Sequence, residues 1–69
     1  MKLSARNVLR GKVIQLVPGA VNAEVTLQLT GGEQIVAIIT NASVASLGLE
    51  VGKNAYAVIK ASSVMVAVD

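Results

Sequence analysis

The most constraining feature of this 69-residue sequence is a strict alternation of polar and apolar side chains over Asn22–Thr30. A period of two predicts a β-strand with one face in water. Gly31-Gly32 follows directly and predicts a tight hairpin turn. The next segment, Ile35–Ile39, is apolar on both faces, so we expect a second strand that is buried on both sides. The apolar side chains of the first strand are Ala23, Val25, Leu27 and Leu29.

A long strand precedes this hairpin, and a change of period follows it. Val8–Val17 is predicted to be a strand that bends near Gly11, because a glycine inside a strand often marks a bulge or a barrel corner. After the hairpin, Thr40 or Asn41 is predicted to cap a short helix that stops at Gly48. The helix separates the first three strands from the rest of the chain.

Two further strands complete the pattern. Asn54–Lys60 is apolar on both faces as far as its lysine, and Val64–Val68 follows a small polar break at Ala61–Ser63. Three strands, a short helix and two strands are the elements of an OB-type barrel, which is five-stranded and partly open. The sequence therefore predicts an all-β fold, a small five-stranded OB-like barrel with one short helix, forming a single domain over residues 1–69.

The apolar content is high for so short a chain. Hydrophobic residues make up 54% of the sequence, and the absence of cysteine and histidine excludes a disulfide or zinc staple. A domain of this size buries only about 60% of the surface that its unfolded chain exposes. The longest uncharged stretch, Gln34–Leu49, is polar in places and shorter than the roughly 20 residues of a membrane-spanning helix. We therefore expect a cytoplasmic homo-oligomer with no membrane partner.

The sequence offers little to a catalytic mechanism. Histidine is absent, and no two of the four acidic residues are placed by the pattern for general acid–base work. A Ser–Lys arrangement of Lys60 with Ser62 or Ser63 is formally possible, although nothing else indicates an oxyanion hole. We expect a non-enzyme with no catalytic residue.

Positive charge is concentrated at the start of the chain, where the first acidic residue is Glu24. This excess favours an anionic partner, although a solvated strand face would explain it equally well. Nucleic acid is one alternative, since OB folds often bind it, but single-strand binders stack bases on aromatic side chains and this chain has only Tyr56. An OB-fold nucleic-acid-binding or regulatory module stays an alternative; our expectation is no nucleic acid. The early cations are Lys2, Arg6, Arg10 and Lys12.

Small oxyanions fit the available side chains better. Ser4-Ala5-Arg6-Asn7 and Lys60-Ala61-Ser62-Ser63 each combine a cation, a hydroxyl and a small alanine beside accessible backbone. Cations, hydroxyls and backbone N–H groups are the donors that bind an oxyanion. Gly19-Ala20-Val21-Asn22 could present its amides as a concave nest. Each segment could also be an ordinary turn or surface charge. No residue is expected to ligate a metal cation directly.

The motifs that carry these residues resemble those of the molbindin family. These small molybdenum-pterin-binding-like proteins, also called Mop domains, belong to the TOBE group of OB-like domains. The resemblance covers essentially the whole chain and is specific in combination. It rests on Ser4–Asn7, Gly11–Val13, Gly19–Val25, Leu47–Leu49 and Ala55–Met65.

The resemblance implies a cytoplasmic protein that binds molybdate, and usually tungstate, for storage and homeostasis of molybdenum. It implies no further cofactor and a hexamer, built as a trimer of dimers, with strands exchanged between barrels and ligands at subunit interfaces. Two classes of oxyanion site are implied, the second nearer a symmetry axis. The first would comprise Ser4, Ala5, Arg6, Lys60, Ala61 and Ser62, and the second Ala20, Val21 and Asn22.

Overall fold

The computed structural model describes the whole chain, from Met1 to Asp69, and is organised around one antiparallel sheet. The elements in chain order are β1 (Asn7–Pro18), β2 (Asn22–Leu29), β3 (Gln34–Thr40), α1 (Asn41–Leu47), β4 (Asn54–Ile59) and a 3-10 turn (Ala61–Ser63). The strand order in the sheet is β3-β2-β1-β4. The short helix follows β3, and the 3-10 turn follows β4.

Strand β1 holds the sheet together because it pairs with β4 along its first half and with β2 along its second half. The pairing with β2 shifts between Val13 and Gln15, so the bulge lies at Ile14 rather than at the predicted Gly11. Gly11 has a different role. A Cβ atom at this position would lie 2.8 Å from the carbonyl oxygen of Gln28, so only glycine lets the two strands approach so closely.

The core lies on the inner face of the β1–β2 hairpin, as the alternation predicted. Val13, Ala23, Val25 and Leu27 are its buried hydrophobic residues. Partly buried side chains from β3, α1 and β4 pack against them. The period-two pattern therefore identified the correct face of β2, and Thr26 on the opposite face is also buried.

Helix α1 begins and ends at the predicted residues. The Thr40 side chain is the N-cap, and its hydroxyl oxygen accepts a hydrogen bond from the backbone N–H of Ser43 at 3.0 Å. Gly48 ends the helix in the left-handed region, at φ 64°, where residues with a Cβ atom are strained. Being seven residues long, this helix is too short to cross a membrane, and the chain has no other α-helix.

The last strand of the prediction is absent, so the chain has four strands instead of five. Residues 64–69 form no regular element, and Met65, Val66 and Val68 are 94%, 89% and 93% exposed. None of the four strands pairs with this segment, so its backbone groups take part in no ladder of the same chain. We call residues 64–69 the tail.

Strand β3 also differs from the prediction, because only one of its faces is covered. Ile35 and Ile39 are partly buried, whereas Val36 and Ile38 are 55% and 71% exposed. β3 and β4 form the two edges of the curled sheet, and no pairing joins them. An apolar gap of about 410 Å³ lies where these elements meet, lined by residues of β3, β4 and the end of α1. The barrel is therefore open within one chain.

Candidate functional site

The two cationic segments of the sequence meet in space because of how the terminal strands pair. Asn7 at the start of β1 lies opposite Ile59 at the end of β4. The residues before β1 and those after β4 are consequently neighbours, although they lie at opposite ends of the sequence. Together they line one cavity of about 490 Å³, which we call the Arg6–Lys60 cavity. Its lining is Ser4, Ala5, Arg6, Val58, Lys60, Ala61 and Ser62.

This cavity carries positive charge without a compensating acid. Arg6 and Lys60 both line it, and none of its seven residues is acidic. The one ion pair of the chain joins Lys53 to Glu50, with 3.7 Å between Nζ and Oε2. Neither Arg6 nor Lys60 is therefore neutralised by a carboxylate of its own chain. Cations left in this state attract an anion and compensate for part of its desolvation.

Hydrogen-bond donors complete the lining. None of the side-chain hydrogen bonds of the chain involves Ser4 or Ser62, so both hydroxyls remain available to a ligand. The 3-10 turn curves the backbone after Lys60. It is closed by a hydrogen bond from the Ser63 N–H to the Lys60 carbonyl at 2.9 Å, and by another from the Val64 N–H to the Ala61 carbonyl at 3.2 Å. This turn brings Ala61 and Ser62 to the cavity wall.

One residue of the lining, Val58, was not predicted from the sequence. Val58 contributes an apolar side chain to a wall that is otherwise cationic, hydroxylated or small. A signal for it existed, because side chains two residues apart in a strand share a face and Val58 lies two residues before Lys60. Its side chain offers no hydrogen bond and limits the space beside the donors.

The second predicted set of residues lies elsewhere. Ala20 and Val21 belong to the connection at the opposite end of β1, Asn22 is the first residue of β2, and all three are exposed. The connection is held by Asn41, whose backbone N–H donates to the Val21 carbonyl at 2.8 Å and whose side-chain amide donates to the Gly19 carbonyl at 2.9 Å. The principal cavities of the chain are lined by other residues. Within one chain, these three residues therefore lie on the surface, in the connection and at the first residue of β2, and line none of these cavities.

The chemistry of the Arg6–Lys60 cavity suits an anion and not a metal cation. Metal ions are held by carboxylates, imidazoles or thiolates, and the chain has no cluster of three or more such groups. The cavity offers two cations and two hydroxyls instead. The fold and this lining define a small, mostly β module with one cationic, acid-free cavity.

Comparison with known proteins places the chain within one family. Residues 3–66 match the TOBE domain, so the chain belongs to the TOBE domain family. The resemblance to the Mop-type members of this family, predicted from the motifs, is confirmed by curated relatives. The chain is 52% identical over 69 residues to a probable molybdenum-pterin-binding protein from Haemophilus influenzae, and the match covers 100% of both chains.

Solved structures support the same placement. MopII from Clostridium pasteurianum superimposes with a TM-score of 0.92 at 45% identity, and the match covers 97% of this chain and 100% of that one. ModG, described as a cytoplasmic molybdate-binding protein and solved with molybdate bound, gives a TM-score of 0.85 at 56% identity. That match covers 88% of this chain and 43% of the ModG chain. The all-β fold with one short helix is therefore confirmed.

Proposed function

We propose that this chain binds molybdate, as the intact tetrahedral oxyanion, in the Arg6–Lys60 cavity. The observation that carries the proposal is that both cationic, serine-bearing segments line the same cavity, and that no acidic residue lines it. The relatives support the ligand, since their names and descriptions refer to molybdenum-pterin or molybdate binding. The residues proposed to bind it are Ser4, Ala5, Arg6, Lys60, Ala61 and Ser62.

The proposed binding mechanism depends on charge compensation. Removing a dianion from water is costly unless cations and hydrogen-bond donors replace its hydration shell. Arg6 presents a planar fork of N–H donors and Lys60 a compact point charge. The hydroxyls of Ser4 and Ser62 then orient the remaining oxygens. Ala5 and Ala61 are small, which leaves room for a large oxyanion to approach the backbone.

The proposal extends to tungstate as a second ligand, to the cellular role of the chain and to a second oxyanion site. Tungstate is a tetrahedral dianion like molybdate, so we expect the cavity to accept it. We assign the chain a role in intracellular storage and homeostasis of molybdenum, located in the cytoplasm. The description of ModG as a cytoplasmic molybdate-binding protein supports the location and the ligand. A second oxyanion site would involve Ala20, Val21 and Asn22 once copies of this loop meet in an assembly. The chain acts by binding, since its cavity brings no acid or histidine to a substrate.

Assembly is the other part of the proposal. The chain would form a hexamer, a trimer of dimers with strands exchanged between barrels and ligands at the interfaces. One chain makes 32 backbone hydrogen bonds. A 69-residue domain would be expected to make roughly 45–50. Sixteen large hydrophobic side chains are exposed, whereas four hydrophobic residues are buried. Pairing of the tail with the free edge of another copy would supply part of the missing hydrogen bonds and cover some of these side chains.

Calorimetric titration tests the ligand assignment. Molybdate and tungstate should bind with a fixed stoichiometry, while sulfate and phosphate should bind more weakly. The same titration on Lys60→Ala should show molybdate affinity reduced by about 1.5–3 kcal/mol, since a charged hydrogen bond is lost. Lys53→Ala is the matched control, because Lys53 pairs with Glu50 away from the cavity. Equal affinities for all four anions, or an unchanged affinity in Lys60→Ala, would contradict the assignment.

A further inference from the structure

A second cationic cavity, separate from the Arg6–Lys60 cavity, lies across β2, β1 and β4, where β2 ends and β4 begins. Its volume is about 270 Å³, and it shares no lining residue with the first. Five of its seven lining residues carry polar side chains, drawn from three adjacent strands and the turn after β2. We call it the outer-face cavity, and its polar lining is Arg10, Lys12, Gln28, Thr30 and Asn54.

The strand pairing explains why these side chains share a face. Gly11 and Val13 are buried on the inner side of β1, so Arg10 and Lys12 point to the opposite, outer side. In the register of the sheet, Lys12 lies opposite Gln28 on β2 and opposite Asn54 on β4. One lysine is thereby flanked by an amide on each side, across three strands.

The charges and polar groups of this cavity are unused within the chain. No acidic residue lines it, and neither of its cations takes part in the one ion pair of the protein. None of its five polar side chains makes a hydrogen bond to another group of the chain. Gly11 lies at its floor, where the backbone approaches β2 so closely that a Cβ atom would collide with it. The outer-face cavity therefore presents two free cations above a tightly packed backbone.

The donors and acceptors here differ from those of the first cavity. A side-chain amide offers N–H donors and a carbonyl acceptor, so Gln28 and Asn54 can each accept from a ligand hydroxyl as well as donate. The Arg6–Lys60 cavity contains no side-chain amide. A bare oxyanion that carries no proton has no use for the carbonyl acceptors. A ligand that combines an anionic group with hydroxyls uses every group in the lining.

We propose that the outer-face cavity binds a small phosphate monoester that carries hydroxyl groups, such as a sugar phosphate. Arg10 and Lys12 hold the phosphate, and the Thr30 hydroxyl supports it. Gln28 and Asn54 pair with the hydroxyls of the sugar. Leu29 is the only hydrophobic residue of the lining and no aromatic residue belongs to it, so an aromatic base finds no ring to stack on in this cavity. The volume is slightly below the roughly 300–1,000 Å³ of drug-sized pockets, which matches a ligand of this size.

Nuclear magnetic resonance titration of the full chain tests this proposal with ribose 5-phosphate as the probe. The backbone amide signals of residues 10–12, 28–30 and 54 should shift on titration, and ribose should shift none of them. Inorganic phosphate should bind at the same residues about fivefold more weakly, since it leaves the two amides unused. The affinity should rise between pH 5.5 and pH 7.5, because a phosphate monoester loses its second proton near pH 6.

Two charge-matched double variants sharpen the test. Arg10→Gln/Lys12→Gln should weaken ribose 5-phosphate binding at least about tenfold, since both charged partners of the phosphate are lost. Lys2→Gln/Lys53→Gln removes the same net charge outside the cavity and should change the affinity less than about twofold. Gln28→Leu should reduce the affinity for ribose 5-phosphate while leaving that for inorganic phosphate unchanged.

Several outcomes would overturn the proposal. These are the absence of shifts at residues 10–12 and 28–30, an equal loss in both double variants, and equal affinity for ribose 5-phosphate and inorganic phosphate. Loss of the ribose 5-phosphate response in Lys60→Ala would assign the ligand to the first cavity instead. Because the two cavities share no residue, a failed molybdate titration would leave this proposal standing, and the reverse also holds.

Discussion

The β1–β2 hairpin buries Val13, Val25 and Leu27, whereas other valines stay exposed in the rim of the sheet, which we define as β3, β4 and the tail. Val13 on β1 is completely buried, whereas Val66 in the tail is 89% exposed. β1 and β2 are the two inner strands: β2 has ladders on both sides, and β1 pairs with β4 along its first half and with β2 along its second half. The rim has free strand edges and exposed apolar side chains. One chain thus contains a finished centre and an unfinished boundary.

This difference shows where half of the exposed large hydrophobic side chains are located, because eight of the sixteen lie in the rim. A centre with buried valines and leucines stabilises the chain by removing those side chains from water. Exposed valines at the rim do not stabilise the fold in this way until another surface removes them from water. Contiguous exposed apolar surface of this kind marks interaction sites in soluble proteins. The proposed oligomer is therefore a consequence of the rim, and the proposed anion cavity lies where the rim strand β4 ends.

Removing the tail should break the assembly outright, which is the largest effect we expect. Deletion of residues 64–69 removes the exposed apolar segment that would pair with a second copy. Light scattering should then report the mass of one chain, whereas the parent protein should report an oligomer. Asp69→Asn is the control, since it alters the tail without removing apolar surface. A deletion variant that keeps the mass of the parent would contradict the role given to the tail.

Shortening a core side chain should have a smaller effect than deleting the tail. It should lower the stability of the folded chain and not remove its assembly. Val13→Ala leaves a cavity at a completely buried position, so the free energy of unfolding should fall by about 2 kcal/mol. The matched control is Val51→Ala, at a loop position that is 63% exposed, where the expected change is within about 0.5 kcal/mol. Urea denaturation of both variants at one protein concentration measures the difference. Equal losses would mean that centre and surface are not energetically distinct.

The smallest effect is expected at the junction between β3 and the helix. Thr40→Ala removes the oxygen that accepts a hydrogen bond from the Ser43 N–H at 3.0 Å. Loss of such a cap lowers the free energy of unfolding by about 1 kcal/mol. Thr30→Ala serves as the control, because the Thr30 hydroxyl makes no hydrogen bond to the rest of the chain. If thermal unfolding of the two variants is indistinguishable, the cap does not stabilise this junction.

Local sequence patterns predicted most of the secondary structure. The alternation over Asn22–Thr30 identified β2 and its buried face, and Thr40 and Gly48 correctly delimited α1. These features are local, since they depend on side-chain period and on backbone preferences at single residues. The bulge was placed wrongly at Gly11, because a glycine that permits close strand approach has the same signature as a glycine that permits a bend.

The candidate site was only partly accessible from sequence. Residue types identified the two segments around Arg6 and Lys60 as suited to an oxyanion. Their meeting in one cavity depends on the pairing of Asn7 with Ile59, which no local pattern encodes. Val58 was missed for the same reason, since a valine in a strand becomes part of a site only when its neighbours are known. The outer-face cavity likewise depends on the alignment of Lys12 with Gln28 and Asn54.

The sequence by itself determined the β-rich fold, the helix limits, the chemistry of the two cationic, serine-bearing segments and the surplus of apolar residues. Tertiary structure decided which of those residues became core and which became rim. It also decided that the chain forms four strands and leaves the predicted fifth as an unpaired tail. The physical reason is that a strand is completed by its neighbours. Propensity and period are properties of a segment, whereas hydrogen-bond ladders and buried faces exist only between segments.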